Sequence, residues 1–243
     1  MTESRILLHA LRDLVDRQIV DVDGLLAGKV DDILLEPSAD GMAVTGLLSG
    51  AGALAPRLDG RLGARFEDTV RRLSGTLWEP RCITPDLYKR TDSGIELTVP
   101  RAYLHETAPR AAVPHRRPEG APGELDDFRV SDVIGAHVFD ADGEPIAGVA
   151  EVRLCAYGPA TGAVGVAMTL DALLVGLGAV GDRLGYALPH GPKRPFALNR
   201  VFRAFARRAQ IIPWRAVERV EPRRISLSVR SDALFGIDQD YRL

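Results

Sequence analysis

Cysteine is scarce in this sequence: Cys82 and Cys155 are the only two. Two thiols at non-equivalent places make no disulfide framework, and without histidine help they make no zinc site. They read as buried or half-buried free thiols in a reducing cytosol. Lysine is scarcer than arginine, with Lys29, Lys89 and Lys193 the only ones. With abundant alanine and glycine, this points to a GC-rich bacterial genome rather than to a function. A dominant charge sign is also missing, since 31 basic residues face 33 acidic ones. No global bias therefore draws the chain to nucleic acid or to an anionic membrane. Long apolar runs are absent: the richest, Ala172 to Val180, is about half the ~18 residues a bilayer span needs. The opening residues, Met1 to His9, hold no apolar core of signal-peptide length. The expected location is the cytoplasm.

What is present suits ordinary globular protein. The hydrophobic share is 46% and the charged share 26% over 243 residues. That supports one large domain or two small ones, with material for two cores of roughly 100 residues each.

A repeat organises the chain. Ile19-Val-Asp-Val-Asp-Gly24 runs on to Gly28-Lys-Val-Asp-Asp-Ile-Leu-Leu35. Val138-Phe-Asp-Ala-Asp-Gly143 runs on to Gly148-Val-Ala-Glu-Val-Arg-Leu154. Two β-rich runs divided by Asp-Gly read as a hairpin, because glycine accepts the positive φ of such turns. By letters, the second hairpin carries one inserted residue. In the first copy, Lys29, Asp31 and Asp32 alternate with Val30 and Ile33 as a strand with one wet face. Further landmarks recur in the same order. Leu11-Arg-Asp-Leu matches Val130-Ser-Asp-Val. Leu47-Leu-Ser-Gly matches Leu173-Leu-Val-Gly, and Arg61-Leu-Gly matches Arg183-Leu-Gly. Ile95-Glu-Leu-Thr-Val99 matches Ile225-Ser-Leu-Ser-Val229. Matches in one order argue for duplication. Arg5 to His9 reads as an extended segment and Met42 to Leu48 as a strand. Phe66, Val70 and Leu73 stand at helical spacing, predicting a short amphipathic helix over 64–73.

The pattern resembles the PRC-barrel family, the small β-barrel of the reaction-centre H subunit. It is also similar to the C-terminal domain of a ribosome maturation factor. The likeness is carried by Val138-Phe-Asp-Ala-Asp-Gly with Gly148-Val, by Ile212-Pro-Trp-Arg-Ala-Val, and by Ile225-Ser-Leu-Ser-Val. In copy one it is carried by Gly24, Gly28, Lys29 and Val30, whereas Trp78-Glu-Pro-Arg-Cys-Ile stands where Ile-Pro-Trp is expected. The resemblance implies an all-β protein of two tandem small barrels, about six strands each, with short helices. It assigns residues 1–106 to the first domain and 127–243 to the second, whose helix is longer. Residues 107–126 hold Pro109, Pro114, Pro118 and Pro122 and read as a flexible linker. The family implies binding or assembly without catalysis.

Several stretches invite a chemical reading, and each has a plainer one. Gly176-Leu-Gly-Ala-Val-Gly181 fits a dinucleotide fingerprint, but the Pro/Gly-rich residues after it stop the helix such a site needs. Asp21-Val-Asp-Gly and Asp140-Ala-Asp-Gly-Glu lack the further ligands of a calcium loop and read as turns. His9, His105, His115, His137 and His190 are scattered, without metal spacing. Trp214 reads as core rather than a stacking platform. No catalytic residue, cofactor or metal is assigned. The sharpest feature is the basic stretch Lys193, Arg194, Arg200, Arg203, Arg207 and Arg208, which contains no acid. Between these cations Leu198, Val201, Phe202, Phe205 and Ala209 form a helical stripe. A helix of this kind contacts an anionic membrane, RNA phosphates or an acidic protein, or packs on its own barrel. The expected function is a non-catalytic protein-binding or assembly module at the membrane surface or with a membrane protein. The alternatives are a ribosome- or RNA-associated factor, and a small-ligand binder or enzyme with a pocket between the barrels.

Overall fold

The structure, a computed structural model, describes residues 5–39, 41–54, 57, 60–74, 79–106, 127–158, 161–176 and 210–236. The linker 107–126 and the basic stretch Lys193–Arg208 lie outside these. The protein is mostly β, with a curled sheet and a second small sheet. No helix among the described residues is long and apolar enough to cross a membrane. The chain divides into two compact units, residues 1–131 with 155–169, and residues 132–154 with 170–243.

The first unit opens with β1 (Arg5–His9) and a single π-type turn at Ala10–Leu14. The hairpin β2 (Gln18–Val20) and β3 (Leu26–Lys29) follows, then β4 (Asp32–Ser38) and β5 (Gly41–Ser49). Helices α1 (Ala51–Leu54) and α2 (Gly60–Ser74) lead to β6 (Arg81–Ile83), β7 (Tyr88–Arg90), β8 (Ile95–Leu97) and α3 (Arg101–Glu106). After the linker come β9 (Phe128–Arg129) and α4 (Val130–Val133). The small sheet has the order β3-β2-β8-β7. In it β2 and β8 run parallel, placing Ile19 beside Ile95. Both isoleucines are buried, as are Leu14, Val30 and Leu97. β4 pairs on one side with β5 and on the other with β9. Two later glycines also hydrogen-bond within this unit: the Gly162 N–H donates to the Arg90 carbonyl and the Gly165 N–H to that of Pro85.

One departure from the sequence reading lies where β4 begins. Asp31 and Asp32 are 5% and 1% exposed, not on a wet face. Each is tolerated because the backbone donates to its carboxylate. Gly50 N–H binds Asp31 at 2.7 Å, and Ile33 and Ser131 N–H groups bind Asp32 at 2.9 and 3.2 Å. The helix predicted over 64–73 lies inside α2. Phe66 and Val70 are half-buried there, but Leu73 is exposed.

The second unit contains β10 (His137–Phe139), β11 (Pro145–Tyr157), β12 (Met168–Val175), β13 (Gln210–Pro213), β14 (Val217–Glu221), β15 (Arg224–Leu227) and β16 (Phe235–Gly236). The far end of β11 and the start of β12 belong to the first unit. β10 pairs antiparallel with β11 and parallel with β15, and β15 pairs antiparallel with β14. β13 lies between β12 and β16. Val138, Ile225, Leu173 and Ile212 are fully buried.

The same local hydrogen bonds occur in both units at one constant sequence offset. Asp21 N–H donates to the Leu25 carbonyl as Asp140 N–H does to that of Glu144. Val30 N–H donates to Arg17 as Val149 N–H does to Ala136. A bulge follows Ile19 in one hairpin and Val138 in the other. Ile19 stands opposite Gly28, and Val138 opposite Ala147. The expected inserted residue is therefore absent. Lys29 and Gly148 occupy corresponding places, and aligning the glycines by letter misplaced the register. A second correction concerns the exit. β6 pairs Ile83 with Leu47, as β13 pairs Ile212 with Leu173. Ile83-Thr-Pro, not the stretch beginning at Trp78, stands where Ile212-Pro-Trp stands. Each runs into a single 3-10 turn that begins at its third residue, Pro85 or Trp214.

Candidate functional site

The two Asp-Gly turns are built by their first aspartates. The Asp21 carboxylate accepts the N–H groups of Asp23 and Leu25 on Oδ1, at 3.0 and 2.8 Å, and that of Arg101 on Oδ2 at 3.0 Å. The Asp140 carboxylate accepts those of Asp142 and Glu144 on Oδ1, at 3.0 Å each, and that of Ser231 on Oδ2 at 3.1 Å. Three backbone donors favour the charged carboxylate. At Asp21, the Arg101 N–H leads in holding the acid below its ordinary range. At Asp140 burial pushes upward, but the N–H groups of Glu144, Ser231 and Asp142 outweigh it. Gly24 and Gly143 have φ of +75° and +80°, which the turns require of them. Both carboxylates thus serve as acceptors for the backbone of their own turns. Among the described residues no three His, Cys, Asp or Glu side chains gather as a metal site.

On this shared backbone the side chains differ. At the first turn Val22, Leu25 and Leu26 are 53%, 48% and 59% exposed. The corresponding residues of the second turn are Ala141, Glu144 and Pro145. Helix α3 is pinned beside the first turn, because Arg101 also donates from its guanidinium to the Leu26 carbonyl at 3.3 Å. Tyr103, on the same helix, is exposed as well.

A charged cluster is likewise confined to the first copy. Lys29 Nζ lies 3.1 Å from Asp16 and 3.6 Å from Asp31. Arg57 binds both oxygens of Asp16 and the Asp31 carbonyl. Its hydrogen bond, chiefly, holds the Asp16 acid low, while burial raises that of Asp31. Asp16 takes a left-handed φ of +64° where the second copy has Gly135 at +78°. Lys29 and Asp31 correspond to Gly148 and Ala150. The cluster ties Arg57 to the Asp16 carboxylate and to the Asp31 backbone.

A third polar set is buried. Asp32 is pushed up to about 6 by its burial. Arg129 donates to the Gly52 carbonyl at 3.1 Å and is 1% exposed. Cys82 is a buried free thiol pushed up to about 11, chiefly by burial, and is a poor nucleophile. Cys155 is also free and buried, and it accepts from Arg5 Nε at 3.2 Å.

The six cations of the basic stretch lie outside the described residues, as do Gly178 and Gly181 of the glycine pattern. Gly176 lies at the end of β12, with φ +93°, and donates its N–H to the Gly148 carbonyl. Trp214 is buried in its 3-10 turn. His9 is buried and His137 exposed, on separate strands. The apolar tip of the first hairpin was missed in the sequence. Its signal was nonetheless there: three large aliphatic residues crowd a turn whose other copy has Ala, Glu and Pro. No family model matches this chain, and no curated protein matches it.

Proposed function

We propose that this chain is a non-catalytic binding and assembly module of PRC-barrel type, acting in the cytoplasm at the membrane surface or with a membrane protein. It is built as two tandem barrels that arose by duplication. One observation carries the reading: an aspartate-clamped, bulged hairpin beside a parallel strand occurs twice, with matching hydrogen bonds. The two aspartates of the Asp-Gly turns are engaged in holding those turns. A scaffold preserved in both copies, with side chains differing at its edges, suits docking better than turnover.

The protein partner docks on Lys193, Arg194, Arg200, Arg203, Arg207 and Arg208, cations suited to an acidic surface. A pull-down from the source cells tests this, with wild type beside a variant carrying Arg200→Glu, Arg203→Glu, Arg207→Glu and Arg208→Glu. Proteins retained by the wild type and lost by the variant support the reading. An unchanged partner set contradicts it.

A further inference from the structure

We infer that the tip of the β2–β3 hairpin is a lipid-contact element, through which Val22, Leu25 and Leu26 enter the interfacial layer of a bilayer. This rests on the membrane-surface reading above and names the surface that does the work.

The first reason is internal to the protein. The second hairpin has the same turn, bulge and aspartate clamp with Ala141, Glu144 and Pro145. The backbone therefore does not require aliphatic side chains at these places. Folding does not require them either, since each stands about half exposed or more, at 53%, 48% and 59%.

Geometry and area choose the occupant. A hairpin turn is convex, so it offers no groove for a peptide or helix. The three aliphatic side chains expose roughly a few hundred Å² of apolar surface. A stable protein partner needs about 800 Å² from each side. A bilayer has no such threshold, because it deforms around a tip and gains from each side chain buried. Of the charges around the turn, Asp21 and Asp23 are negative and Arg101 and Lys29 are positive. Lys29 is already paired with Asp16 and Asp31. The tip carries little net charge, so its contact is mainly apolar.

The test is flotation of the full-length chain with vesicles of phosphatidylcholine alone, and of phosphatidylcholine with one quarter phosphatidylglycerol. Wild type is compared with a variant carrying Val22→Ala, Leu25→Glu and Leu26→Pro, which gives the tip the side chains of the second copy. Binding of the wild type to both vesicles, weakly affected by salt, is expected, with at least a tenfold loss in the variant. If the variant melts early, Leu25→Glu alone replaces it. Leu25→Trp adds a second reading, an emission shifted to the blue on mixing with vesicles.

A wild type that floats with neither vesicle overturns the inference, as does a tip variant that floats equally well. Binding only to the anionic vesicles that salt abolishes assigns the contact to the basic stretch and likewise overturns it. The protein pull-down, repeated with the tip variant, separates the two readings. Partners kept while vesicle binding is lost leave the assembly reading standing by itself.

Discussion

At the scale of the residue, the carboxylates divide by what the backbone gives them. Asp21 and Asp140 each accept three N–H groups and are held below their ordinary range. Their contribution is present above the usual carboxylate value and is lost as pH falls through the lowered one. Asp21→Ala and Asp140→Ala leave three donors without this acceptor. Each is expected to lower the thermal midpoint by more than about 5 °C, with Asn losing less than Ala. Adding calcium or a chelator should leave the wild-type midpoint unmoved, whereas metal ligands would shift it. Asp32 has the opposite sign. Its carboxyl is raised from 3.8 to about 6, first by burial, so protonation favours the fold. That stabilisation is complete below the ordinary value and disappears as pH rises through about 6. Asp32→Asn keeps an acceptor for Ile33 and Ser131 and removes the charge. Denaturant melts from pH 4 to 7.5 should therefore show the variant gaining on the wild type as pH rises, by on the order of 1–3 kcal/mol. Parallel curves would contradict the assignment.

At the scale of the element, period-two letters and turn glycines made much of the fold legible. The hairpins around Gly24 and Gly143, the strand over 42–48 and the closing strands at Ile95 and Ile225 are all present. What failed did so for physical reasons. Asp31 and Asp32 look wet by their letters, yet both are buried where β4 begins, and backbone donors compensate. A bulge shifts register without changing composition, so Gly28 and Gly148 invited a false match. β6 and β7 are three residues each, too short to show a period. The tip residues Val22, Leu25 and Leu26 read as ordinary hydrophobic letters until the two copies were laid on one backbone. Strand packing gives its own prediction. Gly46 stands opposite Leu34, where the β4–β5 register shifts, and a Cβ there would run into the Cys82 thiol. Gly46→Ala should cost about 1–3 kcal/mol in denaturant melts, and adding Cys82→Ala should return most of it. A double variant no better than Gly46→Ala alone would place the strain elsewhere.

At the scale of the whole molecule, the proposed function lies where the two hairpin units differ. Both copies keep the clamped turn, the bulge and the parallel strand pair, so these specify a scaffold. The first copy alone has the apolar tip and the Asp16–Lys29–Asp31–Arg57 cluster. The basic stretch belongs only to the second. A scaffold used twice and decorated differently is suited to holding two things at once, such as a lipid surface and a protein. The most direct measurement is photo-crosslinking in living cells, with a benzophenone side chain placed in turn at Leu25, Arg203 and Glu144. The account predicts adducts to lipid from Leu25 and to protein from Arg203, with little from Glu144, which shares the turn geometry of Leu25 but not its apolar setting. Equal labelling from Leu25 and Glu144, or none from Leu25 and Arg203, would contradict it.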